Sequence, residues 1–294
     1  RAAARALEKA RYARGALDLD LPESEFTFDA QGAVTEFKRR ERFEAHRMIE
    51  ELMIAANEAV ARGLHEAGRA TLYRVHGQPD ALAMDKIAPV LTRLGVSAPR
   101  GGMTREEFQD VLRLAHTRPG GSVVGRWVLR ALARAKYQPE NIGHWGLASD
   151  RYLHFTSPIR RYPDLAVHRA LKDLLAGREA DAQAQAGLEE LGRHTSAREE
   201  RAQKIEWDAE EIVAMQFMRR HVGDIFEGYV SGVSPMGFYV ELKDYRVEGL
   251  VRIAQLDDDY YDLDEELSCW RGRRSGRTWG LTDPAQVLIE RVDV

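Results

Sequence analysis

The chain has 294 residues, 44% of them hydrophobic and 31% charged, with 43 Lys and Arg against 47 Asp and Glu. That length holds two domains, and no run of about 18 apolar residues is present to cross a bilayer. Cys269 is the only cysteine, which excludes an internal disulfide framework and a cysteine-built zinc site and fits a reducing, cytoplasmic setting.

The opening RAAARALEKARYARG is basic and alanine-rich, has no apolar signal core, lacks Met and reads like the middle of a domain. Its pattern predicts a helix closed at Gly15, followed by a short alternation through Leu17, Leu19 and Leu21. Phe26, Phe28, Val34 and Phe37 flank Ala30-Gln31-Gly32 as a hairpin. Residues 43–64 carry Met48, Ile49, Leu52, Met53, Ala56, Val60 and Leu64 at the spacing of one buried helix face. The opposite side presents Glu44, Glu51 and Glu58, with Asn57 in a small-residue stretch.

Further helices are expected over 80–94, kinked at Pro89, and over 104–115, where Thr104 and Glu107 form a capping box. A third spans 122–135, with turns at 98–102 and 118–121 between them. From Tyr137 to Thr156 an aromatic, glycine-punctuated segment is extended. After Gly177 a polar, alanine-rich linker leads to a long helix over 188–220, ended by Gly223. Beyond Asp224 the period becomes two: Phe238, Val240 and Leu242 face one way, Tyr239 and Glu241 the other. Another strand lies at 249–253 and a fourth at 286–292.

HFTSPIRRYPDLAVHRAL, residues 154–171, combines hydroxyls, adjacent arginines and two helix-setting prolines. Ser157 before Pro158 reads as an N-cap, and Pro163 forces a new helix over 164–175 that stops at Gly177. Arg160 and Arg161 then sit at a helix N-terminus, where backbone N–H groups, the helix dipole and a guanidinium fork converge on one anion. For an arbitrary arginine pair, bridging of surface carboxylates is the commoner outcome. The net charge of −4 conceals an asymmetry: residues 222–294 hold 8 Lys and Arg against 15 Asp and Glu, leaving the first 221 residues net positive. Arg151, Arg160, Arg161 and Arg169 face only Asp164 between 151 and 169, a field suited to a nucleic-acid backbone.

Residues 139–171, PENIGHWGLASDRYLHFTSPIRRYPDLAVHRAL, resemble the most recognisable segment of the ribonuclease II/ribonuclease R (RNB) family of exoribonucleases. The resemblance extends through ARYARGALDLDLPE (10–23), EAHRMIEELMIAANEAVA (44–61) and LYRVHGQPD (72–80). It implies an α+β architecture: the helix-rich C-terminal half of an RNB catalytic domain over 1–221, then a truncated S-one-type OB-fold β-barrel over 222–294 that lacks its last strand and has an unpaired edge. The implied activity is that of a hydrolytic, processive 3′→5′ exoribonuclease, degrading single-stranded RNA to nucleoside 5′-monophosphates with Mg²⁺. The competing class is a non-catalytic RNA-binding regulator that keeps the fold without the metal site. The protein is expected to be a monomer with no membrane partner.

By the same resemblance, Arg160 matches the arginine at the scissile phosphate, and Arg161 holds the backbone or Asp164. Thr156 and Ser157 have hydroxyls for a phosphate, with a plain helix cap as the alternative for Ser157. Glu51 matches a glutamate that reads the terminal ribose; a solvated acidic face is the other reading, and Glu50 is its rival. Glu206 aligns with a second carboxylate near the terminal nucleotide, and Leu19 replaces a base-clamping aromatic. In the barrel, Tyr239 matches a stacking aromatic, while Met236 and Arg252 stand where Phe and His are common, which implies weaker stacking and a more electrostatic RNA contact at Arg252. Arg271, Arg273, Arg274 and Arg277 either touch phosphates or form a solvated loop with neighbouring acids. The family's metal-binding aspartates have no counterpart here: Asp257-Asp258-Asp259 reads as solvated charge, so the chain alone is expected to be inactive. His144 and His154 read as packed groups rather than acid/base catalysts.

Overall fold

A computed structural model describes residues 1–17, 24–79, 103–179, 185–245, 247–265 and 267–293, with scattered positions between 82 and 95. Outside these lie the expected alternation at Leu19 and Leu21, most of the helix over 80–94, the turn at 98–102 and part of the linker after Gly177. In chain order the elements are α1 (Ala2–Ala13), β1 (Ser24–Phe28), β2 (Val34–Arg39), α2 (Glu44–Glu66), β3 (Tyr73–Val75), α3 (Arg105–His116), α4 (Gly121–Ala131), β4 (Lys136–Gln138), α5 (Tyr162–Leu175) and α6 (Leu188–Met218). Then come β5 (Ile225–Ser234), β6 (Gly237–Leu242), β7 (Glu248–Arg252), β8 (Tyr261–Asp264), β9 (Cys269–Gly272), β10 (Thr278–Gly280) and β11 (Pro284–Leu288). They form two compact units, one of residues 1–18, 42–79 and 132–204, the other of 19–41, 80–131 and 205–294.

In the first unit, α2 supplies Ala61 and Leu64 to a core with Tyr73, Val75, Leu153 and Val167. Its buried positions are Glu51, Ile54, Asn57, Ala61 and Leu64, a helical stripe offset from the purely apolar one. Ile49 and Leu52, expected inside, are therefore half exposed. The glutamates at seven-residue intervals all turn to α1, where Arg5 pairs with Glu44, Arg11 with Glu51 and Arg14 with Glu58. Neither a solvated face nor a ribose reader describes Glu51: its carboxylate accepts from Arg11 Nε at 3.0 and 3.2 Å and from Nη2 at 2.5 Å. Burial works against the Arg11 charge, and the bonds and field of Glu51 more than offset it, raising the guanidinium pKa.

α5 begins at Tyr162, two residues before the expected start, with Pro163 in its first turn. Its C-terminus is closed by Gly177 at φ +63°, a left-handed stop that favours glycine. In the second unit the capping box of α3 forms as expected, with Glu107 N donating to Thr104 Oγ1 at 3.2 Å and Thr104 N to Glu107 Oε2 at 2.7 Å.

The barrel region holds an antiparallel sheet of order β11-β5-β6-β7 and a second of order β10-β9-β8. Alternation on β6 sends Phe238 and Val240 into a core with Val230, Trp270, Trp279 and Ala285. Gly237, at φ +150°, makes the β5–β6 turn where an added Cβ would stand 2.1 Å from the Val251 carbonyl oxygen. The strand expected over 286–292 pairs with β5 two residues earlier, from Pro284 opposite Tyr229 to Leu288 opposite Ile225. A second cluster joins Val34 and Phe37 of the hairpin to Ala214, Phe217 and Met218 of α6 and to Leu242 and Val247. α4 lies on the outer side of β5 and β6: Trp127 Nε1 donates to the Ser231 carbonyl at 3.0 Å, and Arg126 pairs with Glu241.

Candidate functional site

The segment between Tyr152 and α5 is pinned from three directions. Asn57 of α2 donates Nδ2 to Tyr152 Oη and accepts the Phe155 N–H, both at 3.0 Å. His168 of α5 stacks on Phe155, with centroids 4.2 Å apart, and bonds its carbonyl through Nε2 at 2.9 Å. Asp164, fully buried, accepts from Ser157 N and from Arg161 Nη2, each at 2.8 Å. The chain between is one tight turn in which the Ser157 carbonyl accepts from Arg160 N and Arg161 N.

Ser157 is thus not a helix cap. Arg161 occupies the N-cap position of α5, and Asp164, reaching back from the first turn, supplies the local anchor. The Ser157 hydroxyl has no protein partner among the described residues. Thr156 Oγ1 and Arg161 Nε are buried without hydrogen-bond partners. Arg160 is exposed and makes no ion pair among the described residues. Arg161 holds Asp164, one of the two partners expected for it.

A cleft of about 440 Å³ opens beside this turn, lined by His46, Ile49, Glu50, Met53, Ile54, Asn57, Leu147, Tyr152 and Arg161. Its walls are mostly apolar, with Arg161 and Glu50 the charged groups; Glu50 also pairs with Arg42. Asn57 and Tyr152, which sequence reasoning left without a role, face this cleft. The signal for Asn57 was a lone amide in a small-residue stretch beside the glutamates of α2.

Behind Tyr152 runs a column of rings: His76 stacks on His144 at 5.0 Å, His144 meets Tyr152 edge-on, and Tyr152 meets His154 likewise. Tyr137 Oη and His154 Nδ1 are 2.8 Å apart. Burial, aided by His76 and Arg74, pushes His144 down to about 3. Burial, aided by Arg161 and Arg74, pushes His154 down to about 2. Both are neutral near pH 7 and serve as packed hydrogen-bonding groups.

The other expected contacts lie in the second unit. Tyr239 is half-buried on the outer face of β6, its ring across Gly232, where an added Cβ would lie 3.3 Å from Cδ2. Arg252 is exposed at the end of β7 and has no ion pair among the described residues; Met236 is exposed. Glu206 lies on the exposed middle of α6.

The arginine run is fully engaged: Arg271 pairs with Asp264, Arg273 with Asp262, Arg274 with Asp259 and Arg277 with Asp258. Asp259 is not solvated. Its buried carboxylate accepts from Ser275 N and Oγ at 2.7 Å and from Arg274 N, which hold its pKa well below the usual carboxylate range. Among the described residues no group of three or more His, Cys, Asp or Glu side chains is arranged to hold a metal ion. No described helix is long and apolar enough to cross a membrane.

The first unit thus carries an arginine turn tied to a buried aspartate beside a largely apolar cleft, and the second carries the two small sheets of the barrel region. Residues 1–177 match the model of the RNB domain, and residues 220–294 that of the S1 RNA binding domain. The chain belongs to the RNB family. Ribonuclease R of Aquifex aeolicus is 43% identical over 291 residues, covering 98% of this chain and 41% of that protein. Ribonuclease R of Escherichia coli is 38% identical over 299 residues, covering 98% and 37%. Solved structures of Mycoplasma genitalium RNase R, in the apo form and in complex with ribose methylated single-stranded RNA, both superimpose with a TM-score of 0.90 at 26% identity. The match covers 99% of this chain and 46% of theirs. The chain spans about two fifths of the length of the curated relatives it matches.

Proposed function

We propose that this chain is the RNA-holding part of a ribonuclease R-like enzyme, a hydrolytic, processive 3′→5′ exoribonuclease that releases nucleoside 5′-monophosphates from single-stranded RNA. Residues 1–221 act as the RNB portion and 222–294 as the RNA-binding barrel. The observation that carries the reading is the turn at 156–164, where Arg160, exposed and without an ion pair among the described residues, adjoins Arg161, which lines a cleft of about 440 Å³.

In this reading Arg160 contacts the scissile phosphate as the charge develops, and Arg161 holds the neighbouring backbone. The apolar walls at Ile49, Met53 and Leu147 accept a base without reading its edge. Glu50, rather than the buried Glu51, is the carboxylate placed to accept a ribose 2′-hydroxyl. Glu206, Tyr239 and Arg252 contact RNA further from the reacting end. Magnesium finds no ligand set among the described residues, and we assign its carboxylates to a part of the protein other than this chain.

The test uses 5′-labelled single-stranded RNA and a circular RNA of the same sequence. The protein carrying this chain at the length of its relatives should shorten the linear RNA from its 3′ end to monophosphates and spare the circle. The 294-residue chain should bind the linear RNA and leave it intact in Mg²⁺. Cleavage of the circle would contradict the exonucleolytic reading, and binding without any hydrolysis by the longer protein would favour an RNA-binding regulator.

A further inference from the structure

Asp164 is fully buried at the turn, so its own side chain is out of reach of RNA. Its side chain has no exposed surface, while that of Arg161 retains 18%. One oxygen, Oδ1, takes both the Ser157 N–H and Arg161 Nη2 at 2.8 Å, and Oδ2 has no hydrogen-bond partner. Ser157 begins the turn and Arg161 ends it, so this single atom clamps both ends of the loop that carries Arg160. Removing one partner of a buried ion pair leaves the other charge uncompensated, and the one cation paired with Asp164 among the described residues lines the cleft.

We propose that Asp164 is a positioning residue. It fixes the 157–161 turn so that Arg160 and the remaining donors of Arg161 meet a phosphate at a set distance, and its charge tempers the grip of Arg161 on the bound strand. The inference rests on the reading of this turn as a phosphate site. Loss of the charge with retention of shape then separates binding from turnover. RNA is held as well or better, because Arg161 is no longer neutralised, while the misplaced guanidinium slows the chemical step.

Asp164→Asn is nearly isosteric, and its amide NH₂ can replace Oδ2, which meets no donor. In the longer active protein, this substitution should lower kcat about 10- to 100-fold, the scale of a misplacement of about 1 Å, with single-stranded RNA affinity unchanged or tighter at low salt. Asp164→Glu, one methylene longer in a closed site, should not restore turnover. Wild-type kcat in a folded Asp164→Asn protein overturns the proposal, as does a parallel fall in kcat, affinity and thermal midpoint, which marks a purely structural carboxylate.

Should the single variant fail to fold, the double substitution D164N/R161Q removes both charges together. Its turnover should equal that of Arg161→Gln alone, and a further tenfold loss overturns the proposal. Arg160→Ala measured in parallel separates the two levels. If it keeps full turnover, the phosphate reading itself fails; if it loses turnover while Asp164→Asn does not, only the positioning role fails.

Discussion

In the barrel, each of Arg271, Arg273, Arg274 and Arg277 has a carboxylate within 3.8 Å. At the turn, Arg160 and Arg161 have only Asp164 between them among the described residues, and that carboxylate takes Arg161 alone. The richer stretch therefore has less cationic capacity to offer a phosphate than the poorer one. A third arrangement, Arg11 on Glu51, is buried on both sides, with side-chain exposures of 7% and 5%. What an arginine does is decided by the acids that the fold brings to it, and the three arrangements fail in different ways when broken.

The buried pair should fail most. Glu51→Ala leaves Arg11 unpaired where α1 meets α2 and should cost about 3–5 kcal/mol of stability in urea denaturation of this chain. Replacing both partners by Met and Leu should recover most of that loss. Selectivity between 3′-terminal ribose and deoxyribose should be unchanged in any Glu51 variant that stays folded; a loss would return Glu51 to the ribose site. Arg273→Ala, by contrast, should leave stability nearly unchanged, because its partner is exposed and the pair is solvent-screened.

The barrel residues proposed to contact RNA come next. Tyr239→Ala should weaken single-stranded RNA binding by about 1–3 kcal/mol with little change in salt dependence. Arg252→Ala should flatten the slope of log affinity against log salt by about 0.7, the signature of one fewer phosphate neutralised. Arg273→Ala should leave that slope untouched. If Arg252 and Arg273 behave alike, ion pairing is not what separates RNA-binding arginines from structural ones.

Acid should loosen the first unit by a graded amount. His144 and His154 have folded pKa values of about 3 and about 2 against an ordinary 6.5. Between those values the unfolded chain binds protons that the folded one refuses, so stability rises with pH there and falls as pH drops below about 6.5. The neutral imidazoles impose no titration on turnover above about pH 7. Thermal midpoints of wild type and His154→Gln from about pH 7 to about pH 4.5 should converge as pH falls, and parallel curves would contradict the assignment.

Local features were legible in the sequence because their determinants are a few residues apart. Thr104 and Glu107 cap α3, Gly177 stops α5, and Phe238 and Val240 alternate with Tyr239 on β6. The arginine turn was legible for the same reason. Glu51 was not, because its partner lies 40 residues earlier and only the packing of α1 on α2 selects the glutamate stripe over the apolar one. The arginine run and its acids lie on neighbouring segments, yet register decides that Arg271 faces Asp262 across β8 and β9 while its side chain pairs with Asp264. Asp164 sits three residues from Arg161 and was legible as one of its two expected partners; its complete burial is a property of the assembled site.

If the unpaired arginine at the turn meets the reacting phosphate and the paired arginines of the barrel do not, Arg160→Ala and Arg273→Ala must part company. The most direct measurement compares the two in the longer active protein on one single-stranded RNA. Arg160→Ala should lower kcat by about 10²- to 10³-fold with little loss of affinity, the cost of removing one preorganised donor at a developing oxyanion. Arg160→Lys should recover only part of that loss, since a point charge does not replace a planar fork. Arg273→Ala should turn over as the wild type does. Equal turnover in the two alanine variants would contradict the assignment of Arg160 to the phosphate.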